Sequence, residues 1–174
     1  MKLLLVIDYQ KDFVDGSLGF KGAETLENGI YNLVKEYQKN KDQVLFTFDT
    51  HSENYLKTSE GKYLPVEHCL KGTPGWDLYG KLKEFQADAM KIEKPTFGSL
   101  ELIDYLKKNS FTEIMLVGLV SNICILANAV ICKTAQPETK VIVDASLTKS
   151  FDEDLNTKTF DVLKGLQVEV INNG

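Results

Sequence analysis

The hydrophobic pattern of the chain alternates between two kinds of segment. Short, nearly continuous apolar runs are typical of parallel strands buried on both faces, and they predict strands at residues 2–7, 43–48, 89–92, 113–117, 140–143 and 167–171. Between these runs, apolar residues spaced three or four apart predict helices at residues 23–39, 78–85, 100–108, 122–134 and 152–164. Strand and helix therefore alternate along the whole chain.

This alternation predicts a three-layer α/β/α fold around a six-stranded, mainly parallel, Rossmann-like sheet. No composition shift or linker divides the sequence, so residues 1–174 are expected to form a single domain. In such sheets, ligands bind outside the carboxyl ends of the strands. Asp8, Asp49, Lys94 and the turn before Cys124 all come just after a predicted strand, so they are expected to meet at one rim.

Charge and composition exclude several classes of function. The formal net charge is -5 and there is no basic cluster, which argues against nucleic acid and anionic membranes as partners. No apolar stretch is long enough for a membrane span, and the first apolar run is too short for a signal peptide. Three cysteines without a secretory signal make disulfides improbable. A cytoplasmic location is expected. The sequence leaves both a monomer and a homo-oligomer as alternatives.

The segment around Cys124 has the features of a nucleophile site. The apolar run is expected to end at Gly118, and Ser121 or Asn122 is expected to cap the helix that follows. Cys124 then lies in the first helical turn, where free backbone N–H groups favour a thiolate and can hold an oxyanion. A buried structural cysteine is the alternative interpretation.

Asp8 and Lys94 complete a candidate catalytic trio with Cys124. A thiol is nearly inert until it loses its proton, and Asp8 can take that proton and later deliver it to a leaving amine. Lys94 can hold both the carboxylate and the thiolate by its charge and lower the pKa of the thiol. Alternatively, Asp8 and Lys94 are ordinary charged residues of surface loops.

A second candidate site lies in the long irregular stretch of residues 50–76. Loops of this length inside a compact domain tend to be functional or disordered. Asp49 precedes the stretch, and the stretch contains several side chains of metal-ligand type: His51, Glu53, Glu60, His68 and Cys69. Asp49, His51 and His68 suit a divalent metal, Glu60 is a candidate fourth ligand, and the other two are weaker candidates. Alternatives are hydrogen bonds within the loop and a Cys124–His68 dyad.

Four large apolar side chains lie in loops of the predicted rim: Phe13, Leu64, Trp76 and Phe97. They can form a wall for a flat substrate. For Trp76 we favour a structural role, in which the ring seals its loop against the core.

Taken together and in this order, five motifs resemble the isochorismatase-like cysteine hydrolases, and within that family the nicotinamidases. The motifs are VIDYQKDF at residues 6–13, FDTH at 48–51, EHCLKGTPG at 67–75, KPTF at 94–97 and GLVSNIC at 118–124. The resemblance spans nearly the whole sequence and implies an Asp–Lys–Cys triad, which maps onto Asp8, Lys94 and Cys124.

The resemblance also implies roles for further residues. The peptide bond between Val120 and Ser121 matches one that is cis in the family and that shapes the oxyanion hole with the Cys124 amide. In nicotinamidases a divalent metal, which is zinc, iron or manganese, binds the pyridine nitrogen of the substrate. Its ligands map onto Asp49, His51 and His68, with Glu60 as an extra ligand of some members, and Phe13 matches a residue that packs on the substrate ring.

Two departures from the family bear on the substrate. Nicotinamidases commonly carry an aromatic residue shortly before the second metal histidine, where this chain reads Tyr63-Leu64-Pro65-Val66-Glu67-His68, and Asn122 stands where many members have Asp. The expected activity is hydrolysis of a small carboxamide through a thioester, with nicotinamide as the leading substrate, in pyridine nucleotide salvage. The alternative hydrolase is a metal-independent relative that acts on another small amide or on a vinyl ether.

Two further classes of function are less favoured. A phosphatase whose nucleophilic Asp ends the first strand needs a second acid two residues later, where this chain has Gln10. A binding module on the same fold would leave Cys124 unreactive.

Overall fold

The computed structural model describes residues 1–174. Its single sheet has six strands in the order β3-β2-β1-β4-β5-β6. Every neighbouring pair is parallel. The strands are β1 (Lys2–Ile7), β2 (Gln43–Asp49), β3 (Lys91–Lys94), β4 (Glu113–Leu119), β5 (Lys140–Lys149) and β6 (Glu169–Ile171). The predicted fold class is confirmed.

The helices are α1 (Lys11–Val14), α2 (Glu27–Lys39), α3 (Ser59–Tyr63), α4 (Leu100–Lys108), α5 (Leu126–Ala135) and α6 (Glu153–Gly165). Short 3₁₀ turns occupy Ala23–Leu26, Tyr55–Lys57, Pro74–Trp76 and Gly80–Phe85. The long stretch 50–76 is therefore built from one short helix and two 3₁₀ turns. No helix has both the length and the apolar character needed to cross a bilayer.

Two hydrophobic cores lie on opposite faces of the sheet, and β1 contributes to both. Leu3, Leu5 and Ile7 face the core that is covered by α4, α5 and α6. Leu4 and Val6 face the core that is covered by α2 and the neighbouring 3₁₀ turns. Because successive side chains of a strand point to opposite faces, a strand buried on both sides must be apolar throughout, as the sequence pattern of β1 is.

Several strand boundaries differ from the sequence-based prediction. β3 covers Lys91–Lys94, two residues later than predicted, because its pairing with β2 runs from Phe46↔Lys91 to Asp49↔Lys94 and includes charged residues. β4 does not end at Gly118 but continues to Leu119, and β5 extends through Lys149. A register shift between Leu116 and Gly118 accompanies this extension. A prediction based on apolar runs misses strand segments that consist of polar residues or glycine.

Candidate active site

Four strand ends deliver the predicted catalytic and metal-binding residues to one rim of the sheet. Asp8 directly follows β1, and Asp49 is the last residue of β2. Lys94 ends β3 opposite Asp49 in the parallel register. Cys124 lies in the turn after β4, which is the neighbour of β1. From β1 the chain adds β2 and β3 on one side of the sheet, and then β4, β5 and β6 on the other side. Open α/β sheets bind their ligands at this switch point, which lies between β1 and β4.

Lys94 is the centre of a buried cluster of charged and polar atoms. Its Nζ lies 2.6 Å from Asp8 Oδ2 and 3.5 Å from Cys124 Sγ. It also donates to the Thr96 carbonyl at 3.0 Å and lies 3.7 Å from Asp49 Oδ1. Asp8, Lys94 and Cys124 are only 0%, 1% and 5% exposed. The structure therefore brings an acid, an ammonium group and a thiol into contact away from bulk water.

The two carboxylate oxygens of Asp8 have different surroundings. Oδ1 accepts a hydrogen bond of 2.6 Å from Thr47 Oγ1, so Thr47 fixes the rotation of the carboxyl group. Oδ2 is fully buried and pairs with the Lys94 ammonium at 2.6 Å. Because a carboxylate oxygen has two lone pairs, Oδ2 can still accept a proton while it pairs with Lys94. Thr47 is a site residue that the sequence analysis missed, because a Thr inside a strand carries no distinguishing pattern.

Burial and mutual charge shift the pKa values of all three groups. Burial raises the pKa of Asp8, and Lys94 opposes this only in part. Burial likewise raises the pKa of the Cys124 thiol well above its ordinary value, against the attraction of Lys94. For Lys94, burial alone would lower the pKa, but Asp8 and the Cys124 sulfur raise it above its ordinary value. Lys94 therefore stays charged, and Asp8 and Cys124 are both able to hold a proton.

The turn that presents Cys124 differs from the predicted capped helix. Residues Ser121–Ile125 form a π-helical turn, and α5 begins only at Leu126. Neither Ser121 nor Asn122 caps it, so that prediction is wrong. Instead the Ser121 hydroxyl hydrogen-bonds with the Asn156 side chain of α6, which ties the turn to another helix. Asn156 was not identified from the sequence because its role depends on tertiary packing.

The position of the cis peptide bond also needs correction. The bond joins Leu119 and Val120, one residue before the expected Val120–Ser121 bond. The bond directly follows the last residue of β4, so it lies at the junction between the strand and the π-helical turn. The amides of Ser121 and Cys124 still lie in the π-helical turn next to the thiol.

Four side chains of metal-ligand type converge beside this cluster: Asp49, His51, Glu60 and His68. One ligand atom from each lies within 4.8 Å of all the others. Asp49 Oδ2 is 3.0 Å from His51 Nε2 and 3.3 Å from His68 Nε2. Glu60, placed by the short helix α3, is 3.6 Å from His68 Nε2.

The donor set fits a divalent metal ion. Two imidazoles and two carboxylates suit zinc, iron or manganese. His68 Nδ1 bonds to the Val66 carbonyl at 2.8 Å, and that bond requires the proton on Nδ1, so that Nε2 keeps its lone pair for a metal. Gln10 holds Asp49 in place, since its amide accepts from the Asp49 N–H at 2.8 Å and donates to the Asp49 carbonyl at 2.9 Å. The sequence analysis did not identify Gln10 in this role.

The charges in this donor set influence one another. Burial opposes the ionisation of Asp49, but hydrogen bonds with His51 and His68 hold the pKa of its carboxyl below the ordinary value. Burial alone would lower the pKa of His68, whereas the neighbouring Asp49 raises it. Burial and Asp49 raise the pKa of Glu60. Two carboxylates this close favour a bound cation, which would compensate both charges.

The weaker metal candidates lie outside the donor set. Glu53 is exposed, whereas Cys69 is buried and contacts other groups: its N–H donates to Asp12. The alternative Cys124–His68 dyad is not formed, because the side-chain partner of the Cys124 sulfur is Lys94.

The candidate substrate wall is brought together only in part. Phe13 packs against the His68 ring with the ring centres 5.6 Å apart. Leu64 and Phe97 are instead exposed residues, at 36% and 48% respectively. Trp76 is buried against Phe48 and donates to Thr50 Oγ1, in agreement with a structural role.

Comparison with known proteins is consistent across sequence and structure. The family model described as "Isochorismatase domain" matches residues 2–173. An isochorismatase family protein of Bacillus subtilis is 32% identical over 165 residues, covering 88% of each chain. The crystal structure of a pyrazinamidase/nicotinamidase from Streptococcus mutans has a TM-score of 0.88 at 27% identity and covers 98% of this chain and 100% of its own. The pyrazinamidase of Pyrococcus horikoshii in complex with zinc has a TM-score of 0.85 at 20% identity, with 98% of each chain covered, and supports the fold.

Proposed function

The chain belongs to the isochorismatase family, and on this premise we propose that it is a cysteine amidohydrolase that converts a small carboxamide into its acid and ammonia. One observation carries the proposal. Asp8 and Cys124 are both buried in contact with Lys94, directly beside a four-residue set of metal ligands. A core cysteine needs neither a buried ammonium group nor a buried carboxylate as a neighbour, and burying such charges is costly.

The reaction begins with transfer of the thiol proton. Asp8 Oδ2 takes the proton of Cys124 on its second lone pair, while Lys94, whose Nζ lies 3.5 Å from the sulfur, stabilises the resulting thiolate. The sulfur then attacks the amide carbon, an S–C bond forms, and the carbonyl electrons move onto oxygen. The amides of Ser121 and Cys124 would donate to this oxyanion, a contribution worth roughly 10²–10³ in rate for a single donor elsewhere.

Collapse of the tetrahedral intermediate releases the amine. Asp8 returns its proton to the departing nitrogen, the C–N bond breaks, and ammonia leaves a thioester on Cys124. A water molecule then attacks the thioester and gives a proton to Asp8. The C–S bond breaks, Asp8 passes the proton to the sulfur so that the thiol re-forms, and the acid product departs. The raised pKa of Asp8 suits a group that must both accept and deliver a proton.

Asp49, His51, Glu60 and His68 would hold the divalent ion, which when bound supplies a Lewis acid beside the reacting group. The protein contributes the orientation of these ligands: Gln10 fixes Asp49, and Val66 fixes the tautomer of His68. Lys94 connects the catalytic trio with the metal-ligand set, because its Nζ contacts both Asp8 and Asp49.

Nicotinamide is the first substrate to test. Relatives of this chain in Saccharomyces cerevisiae and Mycobacterium tuberculosis are named nicotinamidase and nicotinamidase/pyrazinamidase, at 24% identity. Phe13 lies against His68, so a flat ring bound near the metal ligands would have an aromatic neighbour.

The assay is ammonia release from nicotinamide and from a panel of small amides, with Cys124→Ala as control. We expect release that depends on Cys124. If nicotinamide is not cleaved but another amide is, only the choice of substrate is wrong. If no amide releases ammonia above the Cys124→Ala control, the amidohydrolase proposal fails.

A metal-independent hydrolase that acts on another amide or on a vinyl ether is the second candidate. It shares the buried trio, but it gives no reason for four ligand side chains to gather within 4.8 Å. Metal analysis of the purified protein, combined with activity before and after chelation, distinguishes the two. Full activity of metal-free protein would favour the second candidate.

A further inference from the structure

Asn128 joins two chain segments that meet at the candidate catalytic site. It lies on α5, one turn after Cys124, and its side chain is completely buried. Its Nδ2 donates to the Cys124 carbonyl at 2.8 Å and to the Phe97 carbonyl at 3.0 Å. Its Oδ1 accepts from the Ser99 N–H at 3.2 Å. One amide group thus holds the nucleophile turn and the loop after β3 together.

The loop after β3 matters because it determines where the Lys94 ammonium lies. Lys94 Nζ donates to the Thr96 carbonyl at 3.0 Å, so a shift of this loop moves a hydrogen-bond acceptor of the ammonium group. The side chains of residues 95–97 are exposed and contribute little packing. The loop nevertheless runs close to α5, since a Cβ at Gly98 would lie 2.8 Å from Ile131 Cδ1. Asn128 provides the buried polar contact at this crossing.

Contacts through Lys94, Thr96, Phe97, Asn128 and Cys124 form a closed ring. The ring starts at the thiol, passes through the ammonium group and the loop backbone, and returns to the thiol's own residue through the Asn128 amide. We propose that Asn128 is a positioning residue, which holds Lys94 Nζ within reach of the Cys124 sulfur. This inference rests on the proposed function, because it assumes that Lys94 activates the thiol.

The consequence can be measured without a substrate. Reaction of Cys124 with iodoacetamide at neutral pH reports the fraction and the reactivity of its thiolate. Small displacements of catalytic groups can cost up to about 100-fold in rate. When the loop is released, we expect the alkylation rate of Cys124 and kcat for amide hydrolysis to fall together, each by about tenfold. Mass spectrometry assigns the alkylated residue, because the chain has two further free cysteines, Cys69 and Cys132.

Two variants separate the hydrogen bonds of Asn128. Asn128→Leu removes all three. Asn128→Thr can keep a bond to the carbonyl four residues earlier, as Thr159 does to the Leu155 carbonyl in α6, but it loses the Asn128 amide that holds the loop. If the loop contacts position Lys94, both variants lose reactivity. Recovery in Asn128→Thr would show that the helix bond alone matters, and would overturn the proposal.

Gln136→Leu is the matched control. Gln136 follows α5 at the end opposite Cys124, and its amide donates to two carbonyls, those of Leu106 and Asn109, and accepts from the Phe111 N–H. Its loss removes a comparable set of hydrogen bonds without touching Lys94 or Cys124. We expect a similar decrease in Tm for Gln136→Leu and Asn128→Leu, with slowed alkylation only in the latter.

The outcomes distinguish this inference from the proposed function. An unreactive Cys124 in the unmodified protein contradicts the proposed function itself. A reactive Cys124 whose alkylation rate is unchanged in Asn128→Leu, or equally slowed in Gln136→Leu, contradicts only the positioning role of Asn128. If Asn128→Leu raises KM but leaves kcat and the alkylation rate unchanged, the loop acts on substrate binding instead, and the proposal is overturned.

Discussion

Lys94 is an ammonium group in a place where burial strongly disfavours charge. It stays charged because Asp8 lies 2.6 Å away and because the Cys124 sulfur and Asp49 add further negative potential. The same contact stabilises the ionised form of the Asp8 carboxyl group. A buried ion pair contributes little net stability, but removing one partner leaves the other charge without compensation.

We therefore expect Lys94→Met to lower the free energy of unfolding by about 3 kcal/mol, since breaking a buried pair typically costs this much. The double variant Asp8→Asn/Lys94→Met should recover much of the loss, because no carboxylate is then left unpaired. Urea unfolding of the three proteins measures both effects. A double variant less stable than Lys94→Met alone would contradict the ion-pair interpretation.

The acid limb of the pH profile should report Asp8. Asp8 must be ionised to accept the thiol proton, and burial raises its pKa above the ordinary 3.8. Activity is thus lost as pH falls through this raised pKa, at a pH above that of a free carboxyl group. Thr47→Val removes a hydrogen bond that favours the carboxylate and should move the acid limb of kcat/KM upward by about one pH unit.

Thr148→Val provides the control for this shift. Thr148 is also buried in a strand, but its hydroxyl has no hydrogen-bond partner. Its replacement should leave the acid limb of kcat/KM unchanged. An equal shift in both variants would mean that the acid limb does not depend on the Thr47–Asp8 hydrogen bond.

At the scale of the elements, Gly118 allows β4 to run beside β1. Its φ is 114°, a conformation that side chains rarely adopt, and a Cβ at this position would lie 2.1 Å from the Ile7 carbonyl oxygen. Gly118 pairs with Ile7, the residue before Asp8. The close approach of these two backbones therefore sets the spacing between the acid and the nucleophile turn.

Gly118→Ala should lower the free energy of unfolding by about 3 kcal/mol or more, since it combines an unfavourable φ with a backbone overlap. Gly165→Ala is the control: no atom lies within 4 Å of a Cβ there, and the site ends α6 without a positive φ. We expect that variant to be neutral or slightly more stable. Equal stability of the two variants would show that the β1–β4 contact can relax.

The sequence predicts elements well where burial and local capping determine them, and less well where pairing does. β1 and α4 were predicted with their observed ends, and Ser99 caps α4 by accepting from the Leu102 N–H. β3 was predicted two residues too early, and the later part of β5 was not predicted as a strand. In both cases the strand conformation depends on pairing with neighbouring strands. The π-helical turn before α5 carries no periodicity of its own and was predicted as an ordinary capped helix.

At the scale of the whole molecule, the strand order explains why residues distant in sequence form one site. β3, β2, β1 and β4 are consecutive neighbours, and all run in the same direction. Their carboxyl ends supply Lys94, Asp49, Asp8 and the Cys124 turn in that spatial order. This convergence follows from the predicted parallel sheet. By contrast, Thr47, Gln10 and Asn128 act through tertiary hydrogen bonds, which a sequence pattern does not contain.

The candidate metal site connects this rim to the long stretch of residues 50–76. Asp49 belongs to the sheet, whereas Glu60 and His68 belong to the loop, so a bound ion would hold the loop to the sheet. An ion that binds only the folded protein stabilises it by about 2.7 kcal/mol at 100 times its Kd. We expect added Zn²⁺ or Mn²⁺ to raise the Tm of chelator-treated protein in a concentration-dependent manner.

Two carboxylates of the same loop test whether the stabilisation comes from this site. Glu60→Gln removes one of the four ligands and should weaken metal binding by at least about tenfold, as even outer-shell changes at metal sites do. Glu53→Gln removes an exposed carboxylate that is outside the donor set and should leave the metal-dependent Tm increase intact. Because the two substitutions change net charge equally, a difference between them cannot come from general electrostatics. If the metal-dependent Tm increase were the same in both variants, the metal would bind elsewhere. The ion would then not hold the loop to the sheet.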